Sequence, residues 1–230
     1  MKIDEVGAGT DELFIGALAE IGVEDGPTPC LLALHGRPTR DVFERAASLL
    51  AHDEPAEREL GAMVLRELGP YDAEGRRPFS AETIEVVVAE LPSEPDPWVR
   101  GWMISVFGYH HARERLDLVL GHRADPAQPV RFSVAAALPG LADPERTQEW
   151  VVEALLRLAE DESEAVRWYA LYALFNETAG ITDEQKTGWA TALVERGDPE
   201  RRAELRHLAA TLNRDAYAAL GEALGQNRSA

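Results

Sequence analysis

Cysteine, positive charge and long apolar runs are all scarce in this sequence, and each scarcity removes a class of explanation. One cysteine among 230 residues, Cys30, cannot close an internal disulfide, and no Cys/His spacing suggests zinc, so the chain fits a reducing cytosol. No apolar run approaches the ~18 residues that a membrane span needs. The acidic opening "MKIDEVGAGTDEL" lacks the charged-then-apolar layout of a signal peptide, which makes a cytoplasmic location the expectation. Lysine and arginine together number 23 against 41 acids, a formal charge of -18. Such a field repels phosphate backbones and anionic membranes, so nucleic acid and membrane are not expected partners; a basic or neutral protein is.

Recognisable chemistry is equally sparse. There is no Walker A loop, GxSxG elbow, HExxH helix or EF-hand loop. "GAGTDE" begins like a dinucleotide loop but has Glu12 where the third glycine belongs, and no strand precedes it, so it reads as an N-terminal turn. His110 and His111 in "YHHARER" are neighbours at a helix start, where side chains diverge by ~100°. They read as a surface pair or a cap, and no third ligand joins them and His122. Cys30 within "PCLLAL" reads as a buried apolar residue, and "AEDESEA" as a solvated turn. No cofactor, no metal and no catalytic residue is expected.

What the chain does contain is repetition. Aligned on an arginine, "DPAQPVRFSVAAAL" (Asp125 to Leu138) matches "DESEAVRWYALYAL" (Asp161 to Leu174) and "EPDPWVRGWMISVF" (Glu94 to Phe107). Each has an acid six residues before the arginine, valine one before it, and apolar residues three, six and seven after it. "DEPAERELGAMVL" is a fourth copy with a shorter turn and Glu57 in place of valine. The arginines are Arg58, Arg100, Arg131 and Arg167, spaced by 42, 31 and 36 residues.

Each copy follows another amphipathic segment: "RDVFERAASLL", "AETIEVVVAEL", "ARERLDLVL" and "TQEWVVEALLRL". Helix, acidic turn, helix is the unit. "IEVVVAEL" is the one β-branched run, and it reads as helix because Glu82 and Thr83 begin it and Pro92 ends it. A degenerate fifth unit starts at Thr182, residues 1–38 form an N-terminal capping pair, and residues 213–230 a closing helix and tail. The expectation is one all-α domain over 1–230, with about five helical hairpins across 39–212.

This pattern resembles HEAT repeats, and "RDVFERAASLLAHDEPAERELGAMVLRELG" resembles uncharacterised bacterial HEAT-repeat proteins. The resemblance implies a right-handed α-solenoid in which turn acid and arginine form a ladder between adjacent units. Arg58, Arg100, Arg131 and Arg167 would then be structural, with Asp125, Asp161 and Glu94 as their acids. In such solenoids the second helices line the concave face.

Positions one, five and eight after each arginine point away from the core stripe, which places Phe132, Trp168 and Tyr172 outward. Trp98 also leans outward, while Trp102 and Tyr169 fall on the boundary. These six aromatics are the candidate partner-binding residues, because exposed Trp and Tyr commonly anchor interfaces.

Three functions follow as expectations. The first is a noncatalytic, monomeric module that binds a basic macromolecule on its concave face, such as an immunity or inhibitor protein covering a toxin. The second is enzymatic: "WVRGWMISVFGYH" and "VRWYALYALF" are similar to the concave tryptophans and acid of HEAT-like alkylpurine DNA glycosylases, with Asp96, Trp98, Trp102 and Trp168 the residues to suspect. The charge of -18 stands against it. The third is a scaffold or maturation factor, resembling the HEAT-like phycobilin lyases.

Overall fold

A computed structural model describes residues 9–21, 23 and 26–211; those residues form twelve α-helices and no strand. The chain divides into two compact units, Met1–Leu141 and Ala142–Ala230. The first holds α1 (Thr10–Ile21), α2 (Pro29–His35), α3 (Arg40–Leu49), α4 (Pro55–Glu67), α5 (Ser80–Glu90), α6 (Pro97–Tyr109), α7 (Leu116–Gly121) and α8 (Gln128–Leu141). The second holds α9 (Glu149–Leu158), α10 (Glu164–Tyr172), α11 (Asp183–Arg196) and α12 (Pro199–Thr211). The closing helix expected over 213–230 lies outside the described residues.

Local sequence explains where the helices start and stop. Thr39 caps α3 by accepting the Val42 N–H at 3.3 Å, and Pro55 and Pro97 begin α4 and α6, where a missing N–H costs nothing. Asp96 caps α6 through the N–H groups of Trp98 and Val99 at 2.8 and 3.2 Å. Thr182 and Gln185 form a reciprocal capping box at the head of α11. The β-branched run of α5 is helical and ends in a 3-10 turn, Leu91–Ser93, containing Pro92.

Two stretches depart from the expected helices. The segment from Ala112 opens as a 3-10 turn, Arg113–Arg115, and leaves only a short α7, because His111 before it takes a left-handed φ of 50°. The end of α10 widens into a π-helical turn, Ala173–Glu177, closed by Thr178, whose hydroxyl donates to the Ala173 carbonyl at 2.8 Å. Lys186 Nζ takes up the freed Phe175 carbonyl at 2.9 Å.

The core follows the arginine register. One before and three, six and seven after Arg100, Arg131 and Arg167 stand Val99, Met103, Val106 and Phe107; Val130, Val134, Ala137 and Leu138; Val166, Ala170, Ala173 and Leu174, all essentially inaccessible. Burying a Val, Leu, Phe or Met side chain is worth about 1.5–3 kcal/mol, so this stripe is the main source of stability in each unit. Small residues set how closely the helices approach. A Cβ on Gly61 of α4 would lie 2.7 Å from the Ala46 carbonyl oxygen of α3, and one on Gly108 of α6 would lie 2.7 Å from Ala137 Cα of α8.

That α6–α8 contact overturns one expectation. Gly101, Ser105 and Gly108, one, five and eight residues after Arg100, do not face solvent but are buried, with Ser133 and Pro129 of α8 closing over Gly101. On α6 the supposed outward face is a helix-packing seam.

Candidate functional site

Each repeat arginine stands near the start of a second helix, α4, α6, α8 or α10, and reaches back over the preceding turn. In every copy Nη1 donates to the two carbonyls six and five residues earlier: Arg58 to His52 and Asp53, Arg100 to Glu94 and Pro95, Arg131 to Asp125 and Pro126, Arg167 to Asp161 and Glu162, all at 2.8–3.2 Å. In three of the four turns the acid in turn accepts the N–H two residues on, Glu94 from Asp96, Asp125 from Ala127 and Asp161 from Ser163, each at 2.8 Å, and in the Arg58 turn His52 Nδ1 accepts from Glu54 at 3.1 Å.

Two arginines of the first unit also reach forward to the next acid. Arg58 grips Glu94 with two bonds, and Arg100 Nη2 lies 3.5 Å from Asp125 Oδ1. In the second unit Arg167 pairs with Glu204 of α12 at 3.1 Å, a residue outside the turn pattern. These guanidinium groups are thus bonded to turn carbonyls and, for Arg58, Arg100 and Arg167, face neighbouring carboxylates.

The six aromatics divide into different environments. Trp98, in the first turn of α6, is 61% exposed. Trp102, one turn on, is half-buried; its indole N–H donates to Glu59 Oε1 of α4 at 2.8 Å and the Arg66 guanidinium lies 4.5 Å from its ring centroid. Phe132 is half-buried in α8. Trp168, Tyr169 and Tyr172 are half-buried together in the second unit, Trp168 and Tyr172 stacked at 5.5 Å with planes 4° apart and Tyr169 edge-on to both. The second unit therefore brings its three candidates into one cluster, whereas Trp98 and Trp102 share a helix side at i, i+4 spacing.

Several residues at this surface escape a sequence reading. Arg66 sits 4.5 Å from the centroids of both Trp102 and Tyr109, and Arg77, from the loop before α5, sits 4.1 Å from Tyr71 and 5.9 Å from Tyr109. Tyr71 stacks on His111 at 5.5 Å and donates its hydroxyl to the Tyr109 carbonyl at 2.7 Å. Guanidinium and ring thus alternate along one side of α6. Periodicity could not place the loop that supplies Tyr71 and Arg77. In the second unit Trp150, 55% exposed in the first turn of α9, is a further ring that the sequence reading did not single out.

Electrostatics single out Glu59. Burial lifts its carboxyl above the ordinary range, the Trp102 N–H opposes that shift, and the charge of Asp96 adds to it. Glu177 is raised by burial too, against a hydrogen bond from Tyr169. His110 closes α6 rather than opening a helix and is buried rather than superficial, and burial lowers its pKa to about 4. Its Nε2 must donate to the Leu65 carbonyl at 3.0 Å, which leaves Nδ1 to accept from the Ser80 hydroxyl at 3.0 Å. This neutral ring joins the end of α6 to α4 and α5. His111 is the exposed one of the pair. Cys30 is buried. Among the described residues no three His, Cys, Asp or Glu side chains converge as a metal site, and no helix is long and apolar enough to cross a membrane.

The chain was compared with protein-family models and with curated proteins, and neither comparison finds a match.

Proposed function

We propose that the chain is a HEAT-like helical-repeat module, without catalytic activity of its own, that binds a basic protein partner through its second helices. The observation that carries this is Trp98, a large ring 61% exposed on α6, one turn before Trp102, whose indole N–H holds the half-buried carboxylate of Glu59, within a chain of formal charge -18. A hydrophobic ring held in water by an otherwise well-packed helix is an anchor without its pocket. The surrounding field draws cationic partners and repels phosphate.

The recurring arginine turns support the HEAT-like part of this proposal, since the same six-residue geometry is built four times. An inhibitor or immunity role against a basic toxin is one form the function takes. Asp96, the acid that a glycosylase would require, is engaged as the α6 cap, and no observation favours the scaffold reading over binding. The test is affinity purification of a partner from the native cell, followed by measured affinity for the parent and Trp98→Ala. A basic protein bound by the parent and weakened by the variant supports the proposal. An acidic partner, or a basic one indifferent to Trp98, defeats it.

A further inference from the structure

Resting on the interaction module proposed above, we infer that Trp98, Trp102 and Glu59 form a subsite for a single arginine side chain of the partner. Trp98 and Trp102 stand one turn apart on α6, so their rings rise from the same side of the helix. Glu59 of α4 is fixed at that place by the Trp102 N–H at 2.8 Å. It is half-buried and, among the described residues, has the Trp102 N–H but no ion-pair partner, so its charge is desolvated and only partly compensated. Asp96 is close enough to raise the cost of that charge, yet its own carboxylate is engaged by the Trp98 and Val99 N–H groups. Arg66 already lies over Trp102, but among the described residues no cation reaches the Trp98 face or pairs with Glu59.

The chain itself shows which cation suits its rings. Arg40 lies over Phe43 and Phe79, Arg66 over Trp102 and Tyr109, and Arg77 over Tyr71, at 4.1–5.2 Å from the centroids. Trp98 has neither a ring nor a cation contact among the described residues. A guanidinium can lay its plane on an indole while its edge donates two hydrogen bonds to a carboxylate, and an ammonium cannot do both. Arginine is therefore the preferred side chain, with Trp98 supplying the face and Glu59 the acceptor.

The test uses the full chain and the indole N–H signals of its five tryptophans, read by NMR during titration with N-acetylarginine methylamide. Saturable shifts confined to Trp98 and Trp102 are expected, with the lysine analogue binding about fivefold more weakly. Glu59→Gln, which keeps an acceptor for Trp102, should weaken the arginine compound by a similar factor of about five. Equal responses to the two amides, five indoles moving together, or an unchanged Glu59→Gln would overturn the subsite. A basic twenty-residue peptide added at low salt separates the two levels. Binding of that peptide with no response at Trp98 removes the subsite and leaves the module; no binding at all removes both.

Discussion

Arg58 and Glu94 meet as a two-pronged ion pair in the interior, Nε to Oε2 at 2.7 Å and Nη2 to Oε1 at 2.9 Å, with side chains only 10% and 2% exposed. Removing one partner strands the other charge in a dry site. Arg58→Ala should therefore cost about 3–5 kcal/mol. Arg100 faces Asp125 across a longer 3.5 Å contact and is more exposed, so Arg100→Ala should cost about 1–3 kcal/mol. Urea denaturation of the two variants measures the order. Equal losses would put the weight on the turn carbonyls, which both arginines bind alike.

The glycine seam makes opposite predictions for two alanine substitutions. Gly108→Ala drives a methyl to 2.7 Å from Ala137 Cα, a backbone atom that cannot move alone, and should destabilise by about 1–3 kcal/mol as α6 and α8 are forced apart. Gly188 lies inside α11 with nothing within 4 Å of a new Cβ. Gly188→Ala should stabilise by about 0.5–1 kcal/mol through helix propensity. Thermal melts of both variants check the pair.

His110 predicts an acid limb in stability. Its folded pKa of about 4 lies below its ordinary 6.5, so the unfolded chain binds the extra proton between those values and stability rises with pH across that window. Across that window the loss is about 3 kcal/mol, and it levels off just below pH 4 as the folded ring finishes taking up its proton. Glu59, shifted upward, acts in the opposite sense: its contribution declines as pH rises above the ordinary carboxyl value. His110→Gln should flatten the limb between pH 6.5 and 4. A parent whose stability is level across that range would contradict the buried neutral ring.

For the complex, salt and ring truncation should act on different rates. Raising salt should slow association, and Trp98→Ala should speed dissociation, costing about 2 kcal/mol if the ring is an anchor. Trp150→Ala, equally exposed but on a first helix, should bind as the parent does. Surface plasmon resonance at two salt concentrations separates these effects. A loss at Trp150 rather than Trp98 would move the partner to the first helices.

Much of the helical framework was legible because a 3.6-residue period marks one face unambiguously. Val99, Met103, Val106 and Phe107 all lie where the arginine register puts them, and Thr182, Pro92 and Pro97 bound their helices. The recurrence marked Arg58 and Glu94, while the expectation of a ladder between turn acid and arginine came from the resemblance to HEAT repeats and left its forward direction open. What the period does not state is which neighbour lies against the remaining faces. Gly101, Ser105 and Gly108 are covered because glycine lets α8 come close, an effect of pairwise backbone approach that a single helix does not reveal. Arg66, Tyr71 and Arg77 were missed for a related reason: they are gathered across a loop and two helices, and His111 reaches Tyr71 through a left-handed turn. The π-helical turn after Tyr172 left no signal in composition or spacing.

The forward reach of the arginines gives the chain a polarity and a counting rule. Arg58 and Arg100 each hold their own turn from behind and clasp the acid of the turn ahead, while the spacer between them varies from 42 to 31 residues in the neighbouring intervals. Insertions and deletions within a spacer leave every clasp intact. Loss of one whole interval, arginine to arginine, would again bring an arginine to an acid, whereas a cut out of phase strands a charge on each side. The guanidinium thus works as a coupling between consecutive turns, at Arg58 to Glu94 and at Arg100 to Asp125, whatever the length of chain between them.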